Sequence, residues 1–299
     1  YSLKGENDKA LKLLSETVES NRKIYGSESP NYAISLHNYA SQLQKAGNNA
    51  QAEKLFQQAL VIQRASLGTD HPSYANTLHN LAVLAEDNKD YELADSLLNE
   101  VMRVRSKLYQ ENHPSYTAGL YSRAVLYQQM QKYDKAKTDF DHVAQLYLQQ
   151  IVKYFPSLSE KEKTAFYKKI TPVFNRYKEF LLEYYVNYKK DESVLEQLYN
   201  IQIATKAILL NSVNKTRNRI LTSGDNQLIN DFNEWRSLKE QLATYYTYSK
   251  SKLEDENINL EQLEELANEK EKQLSASSQL FADEFDKKAV AWQDVRNQL

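Results

Sequence analysis

Four of the five prolines stand at positions 30, 72, 114 and 156, and the differences 72−30, 114−72 and 156−114 are each 42. The same frame carries Ala10, Ala52, Ala94 and Ala136, and a bulky apolar residue at Leu14, Phe56, Leu98 and Phe140. It also carries Leu36, Leu78 and Leu120, then Ala40, Ala82 and Ala124. A period of this length marks an array of small units, each unable to bury its own apolar face and so obliged to stack on its neighbours.

Inside a unit the pattern is helical. Leu36, Tyr39, Ala40 and Leu43 follow i, i+3, i+4, i+7 spacing, and Ala52, Leu55, Phe56, Ala59 and Ile62 form a second stripe. Gly47-Asn48-Asn49 separates the two, and the loop LGTDHP leads into the next unit. Each unit therefore reads as helix, turn, helix. Ala40 and Ala52 are expected where the two helices come closest, with Leu36, Leu43 and Phe56 filling the space between hairpins. The predicted array covers residues 1–155: a partial unit 1–29 that supplies only a second helix, then 30–71, 72–113 and 114–155. The chain opens at Tyr1 in mid-pattern, which reads as a piece of a longer protein.

The segments LHNYASQLQKAGNNAQAEKLFQQAL (Leu36–Leu60) and LHNLAVLAEDNKDYELADSLLNEVM (Leu78–Met102) resemble the tetratricopeptide repeat, in its 42-residue form found in kinesin light chains. The third unit, LYSRAVLYQQMQKYDKAKTDFDHVA (Leu120–Ala144), drifts from it, with Gln131 in place of the break glycine. The resemblance covers the first half and implies an all-α superhelix.

Residues 156–299 lose the period and read as a helical extension. Ser159 followed by Glu162 is a capping-box pattern. Pro172 is expected to kink or split the helix that follows. Ser193–Leu221 reads as one long helix, stopped at Gly224, with Asp225 as the next N-cap. Two stripes, 227–252 and 260–291, predict a coiled-coil-like antiparallel hairpin over 226–291. Residues 204–243 (ATKAILL through SGD to the next charged helix) and the terminal WQDVRNQL resemble the segment between the repeats and the protease domain of CHAT proteins, the caspase-like domains associated with tetratricopeptide repeats. That resemblance implies a cysteine peptidase domain after Leu299 in a longer protein.

No peptidase chemistry is expected within these residues. Cysteine is absent, so a Cys–His dyad cannot be placed, and disulfides and Cys-based zinc sites are excluded. No Gly-x-Ser-x-Gly elbow or Gly-rich phosphate loop occurs. The 38 basic and 40 acidic residues are interspersed, which excludes the clustered footprint of a nucleic-acid binder. No apolar run is long enough for a membrane span, and a cytoplasmic setting is expected. His71 and His113 share one repeat offset. They read as helix-start or loop residues, because equivalent positions in stacked units lie about 10 Å apart, too far to share a metal. No cofactor is expected. The 22 tyrosines mostly sit at helical spacing beside Leu or Phe and read as packing residues.

Binding is the activity the residues favour. First helices of stacked units would line a concave groove with His37, Asn38, Ser41 and Gln44, then His79, Asn80, Val83 and Asp87, then Tyr121, Ser122, Val125 and Gln128. An asparagine amide both donates and accepts, so Asn38 and Asn80 could hold the backbone of an extended peptide. The alternative is that these are merely polar, exposed positions. The groove lacks clustered Lys and Arg, which disfavours an acidic tail as ligand. The expected function is a protein- or peptide-binding scaffold coupled to its own downstream domain; the alternative is a stand-alone adaptor or assembly platform.

Overall fold

Prolines 30, 72 and 114 each open a helix. The computed structural model describes residues 2–154, 158–246, 248 and 250–279, without the side chains of 2–6, 152–154, 160, 204–217, 219, 250–251 and 278–279. Pro156, the hairpin beyond residue 279 and Trp292-Gln293-Asp294-Val295 lie outside the described residues, as do the side chains of the ATKAILL stretch. The chain forms two compact units, Tyr1–Leu146 and Tyr147–Leu299. Among the described residues there is no strand.

The first unit holds α1 (Ser2–Tyr25), α2 (Pro30–Lys45), α3 (Asn49–Leu67), α4 (Pro72–Asp87), α5 (Tyr91–Leu108), α6 (Pro114–Gln129) and the start of α7 (Tyr133–Tyr154). Proline suits the first turn of a helix because its missing N–H would have no partner there anyway. The residue before each proline caps the helix. Ser29 Oγ accepts from the Tyr32 amide at 3.2 Å, and the Nδ1 atoms of His71 and His113 accept from the Ser73 and Ser115 amides, each at 3.1 Å. Both histidines are thus helix caps, each bonded to its own chain two residues on.

The breaks inside the units also repeat. Amides of Asn48, Asp90 and Lys132 donate back five residues to Leu43, Ala85 and Tyr127 carbonyls at 2.9, 2.8 and 2.8 Å. This closure needs a left-handed residue just before the donor. Gly47 supplies it at φ 83°, but Lys89 and Gln131 supply it at 61° and 55°. The drift of the third unit from glycine therefore changes the residue and keeps the turn.

The alanines at 40, 52, 82, 94, 124 and 136 are at most 1% exposed. Around them, Leu43 and Phe56 of one hairpin cluster with Leu81 and Leu84 of the next, and Leu11 of α1 packs on the other side. Leu36 packs with Val18, Tyr32 and Ala59. In the third unit the Leu81 and Leu97 pair becomes Arg123 and Asp139 at the same offsets. Arg123 Nε and Nη2 donate to the two Asp139 oxygens at 2.7 and 2.9 Å, and this fork joins α6 to α7.

The second unit holds α8 (Glu160–Glu183), a π-helical turn (Tyr184–Tyr188), α9 (Glu192–Thr222), α10 (Asn226–Tyr245), α11 (Lys250–Asp255) and α12 (Leu260–Gln279). The Ser159–Glu162 capping box is complete in both directions. Pro172 does not split α8. Ile170, Phe174 and Tyr177, each at most 2% exposed, hold the helix together across the lost hydrogen bond. Gly224 is left-handed at φ 72°, and Asp225 caps α10 by accepting from the Gln227 and Leu228 amides. α10 and α12 pack on a core of Ile220, Leu228, Phe232 and Leu274. The first arm ends at Tyr245, short of the expected 252, and α11 intervenes. The Tyr246 hydroxyl leaves the helix to donate to Glu264 of α12 at 2.7 Å, and Asn257 closes α11 at φ 54°.

Left-handed backbone costs a Cβ-bearing residue about 1 kcal/mol, part of which is regained as unfolded-state entropy is lost. Gln131→Gly and Lys89→Gly are each expected to stabilise the first unit by about 0.5–1 kcal/mol. Urea unfolding followed by circular dichroism checks this; unchanged or lowered midpoints would contradict the assignment of these turns.

Candidate functional site

The first helices α2, α4 and α6 stand side by side. Their shared face is where the sequence placed its groove, and the structure adds that its residues are tied to one another. His37 Nδ1 lies 2.9 Å from Thr77 Oγ1, linking α2 to α4. The Asn80 amide donates to Ser41 Oγ at 3.1 Å across the same seam. His79 Nε2 lies 2.8 Å from Ser122 Oγ, linking α4 to α6. Gln129 donates to Glu86 at 2.7 Å on that second seam.

The expected residues divide by burial and direction. Asn38 and Asp87 are exposed. Ser41, Gln44, Asn80, Val83, Ser122 and Val125 are half-buried on the face. In the first and third units the ring at the shared offset leans into its own hairpin: His37 meets Phe56 edge-on at 5.4 Å, and Tyr121 meets Phe140 at 6.1 Å, while half-buried His79 bonds across to Ser122. Gln128 is buried, not exposed on the face. Its neighbour Gln129 takes the exposed position, because the helical stripe that passes through Ser122 and Val125 continues to 129.

Three participants escaped the sequence. Thr77 is fully buried and bridges His37 to the carbonyl of Ser73, to which it donates at 3.0 Å. Asn76 is exposed one turn before Asn80. Arg105 reaches it from α5, with Nη2 at 3.1 Å from Asn76 Oδ1. The signal for Arg105 was a polar residue standing inside an apolar stripe of a second helix.

Burial holds His37 below the ordinary histidine range. His79 is pushed down to about 4, by burial and then by the nearby Arg105 cation. Both rings are neutral at neutral pH, so each can donate from one nitrogen and accept at the other. Among the described residues no group of three or more His, Asp or Glu could hold a metal ion, and no described helix is long and apolar enough to cross a membrane.

The folded state binds fewer protons at His79 than the unfolded chain does. Its contribution to stability is therefore present above the unfolded value of 6.5 and is lost as pH falls through about 4. The melting temperature is expected to fall across that window, and His79→Gln, which keeps a hydrogen-bonding side chain without the titration, should flatten the decline. A variant with the same slope as the parent would show that His79 is not the responsible group.

Residues 33–107 and 75–149 match the tetratricopeptide repeat family model. Among solved structures, nearly identical TPR-like repeats from a Podosopora anserina protein described as a kinesin light chain are similar, at 26% identity and a TM-score of 0.50, covering 69% of this chain and 91% of that one. A single-residue variant of the same repeats aligns at 25% identity and a TM-score of 0.51 over the same shares. BtubC (BKLC) from P. vanneervenii shares the fold at 16% identity and a TM-score of 0.54, over 69% of this chain and 76% of that one. No curated protein matches at a significant level. Residues 33–149 are thus tetratricopeptide repeats with kinesin-light-chain-like structural neighbours, the fold of a protein-interaction scaffold.

Proposed function

We propose that the repeat half binds an extended protein segment along the face of α2, α4 and α6, and that it is the regulatory region preceding a CHAT caspase-like peptidase domain in a longer cytoplasmic protein. The observation that carries the binding reading is the row of inter-helix bonds, His37–Thr77, Asn80–Ser41 and His79–Ser122. They hold amides, hydroxyls and neutral imidazoles in fixed positions across the first helices of three successive units. Fixing polar groups before the ligand arrives removes an ordering cost from binding. Asn38 and Asn80 occupy one repeat offset and would meet a peptide backbone at two points along its length.

Support for the attached peptidase is the resemblance of residues 204–243 and 292–299 to the segment that precedes CHAT domains. Similarity to kinesin-light-chain structures favours a second reading, a stand-alone adaptor or assembly platform without a protease. Deleting the repeats from the longer protein and assaying cleavage separates the two. Unchanged cleavage and regulation would sink the regulatory reading, whereas a longer protein with no cleavage activity at all would leave the adaptor.

The face itself is tested by selecting unstructured peptides from a display library on the whole chain. The double variant Asn38→Ala/Asn80→Ala should keep its helical content and bind the selected peptides about tenfold more weakly, the loss of one or two hydrogen bonds. Equal binding by calorimetry, with the fold intact, would remove these residues from the site.

A further inference from the structure

The second helices carry one polar residue within the apolar stripe at a shared offset: Asn21, Gln63 and Arg105, with 63−21 and 105−63 both 42. Asn21 reaches the Asn31 carbonyl at 3.5 Å, and Arg105 Nη1 donates to the Ser115 carbonyl at 2.8 Å. Asn31 and Ser115 are themselves at one offset, two periods apart. An amide can make that bond, so a guanidinium brings a charge and three further N–H groups that the packing does not require.

Among the described residues that charge has no counter-ion. Arg105 is 4% exposed, its two acceptors are the neutral Ser115 carbonyl and Asn76 Oδ1, and its Nε has no partner. Arginine does not shed its proton, and a buried cation needs an anion to offset its lost hydration. Space for it has been made on the facing helix. At Gly119 a Cβ would lie 2.9 Å from Nη1 and 2.9 Å from Met102 Sδ. The earlier units have Ser35 and Thr77 at that offset. The cation and the gap that admits it therefore occur in the same unit.

The guanidinium sits between α4 and α6, below the candidate face. Its outer acceptor, Asn76, is exposed and lies on the stripe of Asn80, Val83 and Asp87. Across the seam stand exposed Ala118 and half-buried Ser122. We infer that Arg105 is an oxyanion site opening on the α4–α6 seam, which takes the carboxylate of one acidic side chain in the bound segment when Asn76 swings aside. This rests on the α2, α4 and α6 face being the binding face. One guanidinium among neutral Asn76, Ser115 and Ser122 balances a monoanion, and its planar fork matches a carboxylate; a phosphate dianion calls for a second cation. The site is sized for a single carboxylate and is no clamp for an acidic tail.

The test uses the whole chain with isotope-labelled arginine. The Arg105 Nε–H resonance is assigned by its loss in Arg105→Met, and, should that variant not fold, by its displacement in Gly119→Ala, which crowds Nη1. Acetate, capped aspartate, capped asparagine and inorganic phosphate are titrated at constant ionic strength. Acetate and capped aspartate should move the resonance saturably in the millimolar range, phosphate less, and capped asparagine not at all. Asn76→Ala, which removes the competing acceptor, should tighten carboxylate binding by about threefold or more. A resonance that stays still through the carboxylate series overturns the site. Tighter binding of phosphate overturns the choice of carboxylate, and weaker binding by Asn76→Ala overturns the role of Asn76. These small probes need no bound peptide, so failure here and failure of peptide capture are separate results.

Discussion

The close approach of two helices over paired alanines is the contact on which the first half depends. Ala40 meets Ala52, and their counterparts at 82 and 94, and at 124 and 136, are equally enclosed. A methyl group is the largest side chain such a contact accepts without pushing the backbones apart. With the hairpin closed this tightly, its large side chains gather beside the alanine contact and reach the neighbour as well, so that Phe56 and Leu43 of one unit pack with Leu81 and Leu84 of the next. Every hairpin is then a wall of two clusters, its own and its neighbour's. The 42-residue period follows from that double duty, because a unit that altered its wall would spoil the packing on both sides.

This is why the frame was legible in the sequence and the site was not. The alanines, the bulky apolar residues, the prolines and the caps at His71 and His113 each act at the same place in every unit, and repetition exposes them. The contacts across the candidate face join unlike offsets. His37 finds Thr77, Asn80 reaches back to Ser41, and His79 finds Ser122. A one-dimensional frame lists the members of such pairs but not which will meet, since that depends on how far one hairpin slides against the next. The ring position shows the same limit. His37 and Tyr121 counted as groove residues by periodicity, yet each leans over the aromatic ring of its own second helix. Gln128 and Gln129 are adjacent, and only the observed helix phase decides that the first is buried.

The second unit lacks a repeat, so only local signals mark its elements, and they hold where chemistry is local. The Ser159–Glu162 capping box, left-handed Gly224 and the Asp225 cap involve residues within a few positions of each other. Pro172 did not split α8, and the residues packed around it, Ile170, Phe174 and Tyr177, are buried, a tertiary effect. The Tyr246–Glu264 contact that ends α10 spans two helices and left no mark on the stripe of either one.

The two places where charge enters the repeat packing differ in an instructive way. In the third unit an apolar pair has been replaced on both sides: Arg123 and Asp139 stand where Leu81 and Leu97 pack, and both oxygens of the carboxylate are used. The exchange is complete within the protein, and a buried fork of this kind fixes the register of α6 on α7 even where its net stabilisation is small. At Arg105 the exchange is one-sided. A guanidinium stands in place of an amide, and Gly119 stands where the earlier units carry Ser35 and Thr77, yet among the described residues no carboxylate meets it. A purely structural role is already filled at that offset by Asn21, with less polar surface to satisfy. Gln63 shows that burying an idle amide there is tolerated, so nothing in the packing demands a charge. The remaining physical reason to keep a cation below an otherwise neutral face is an anion that comes from outside it.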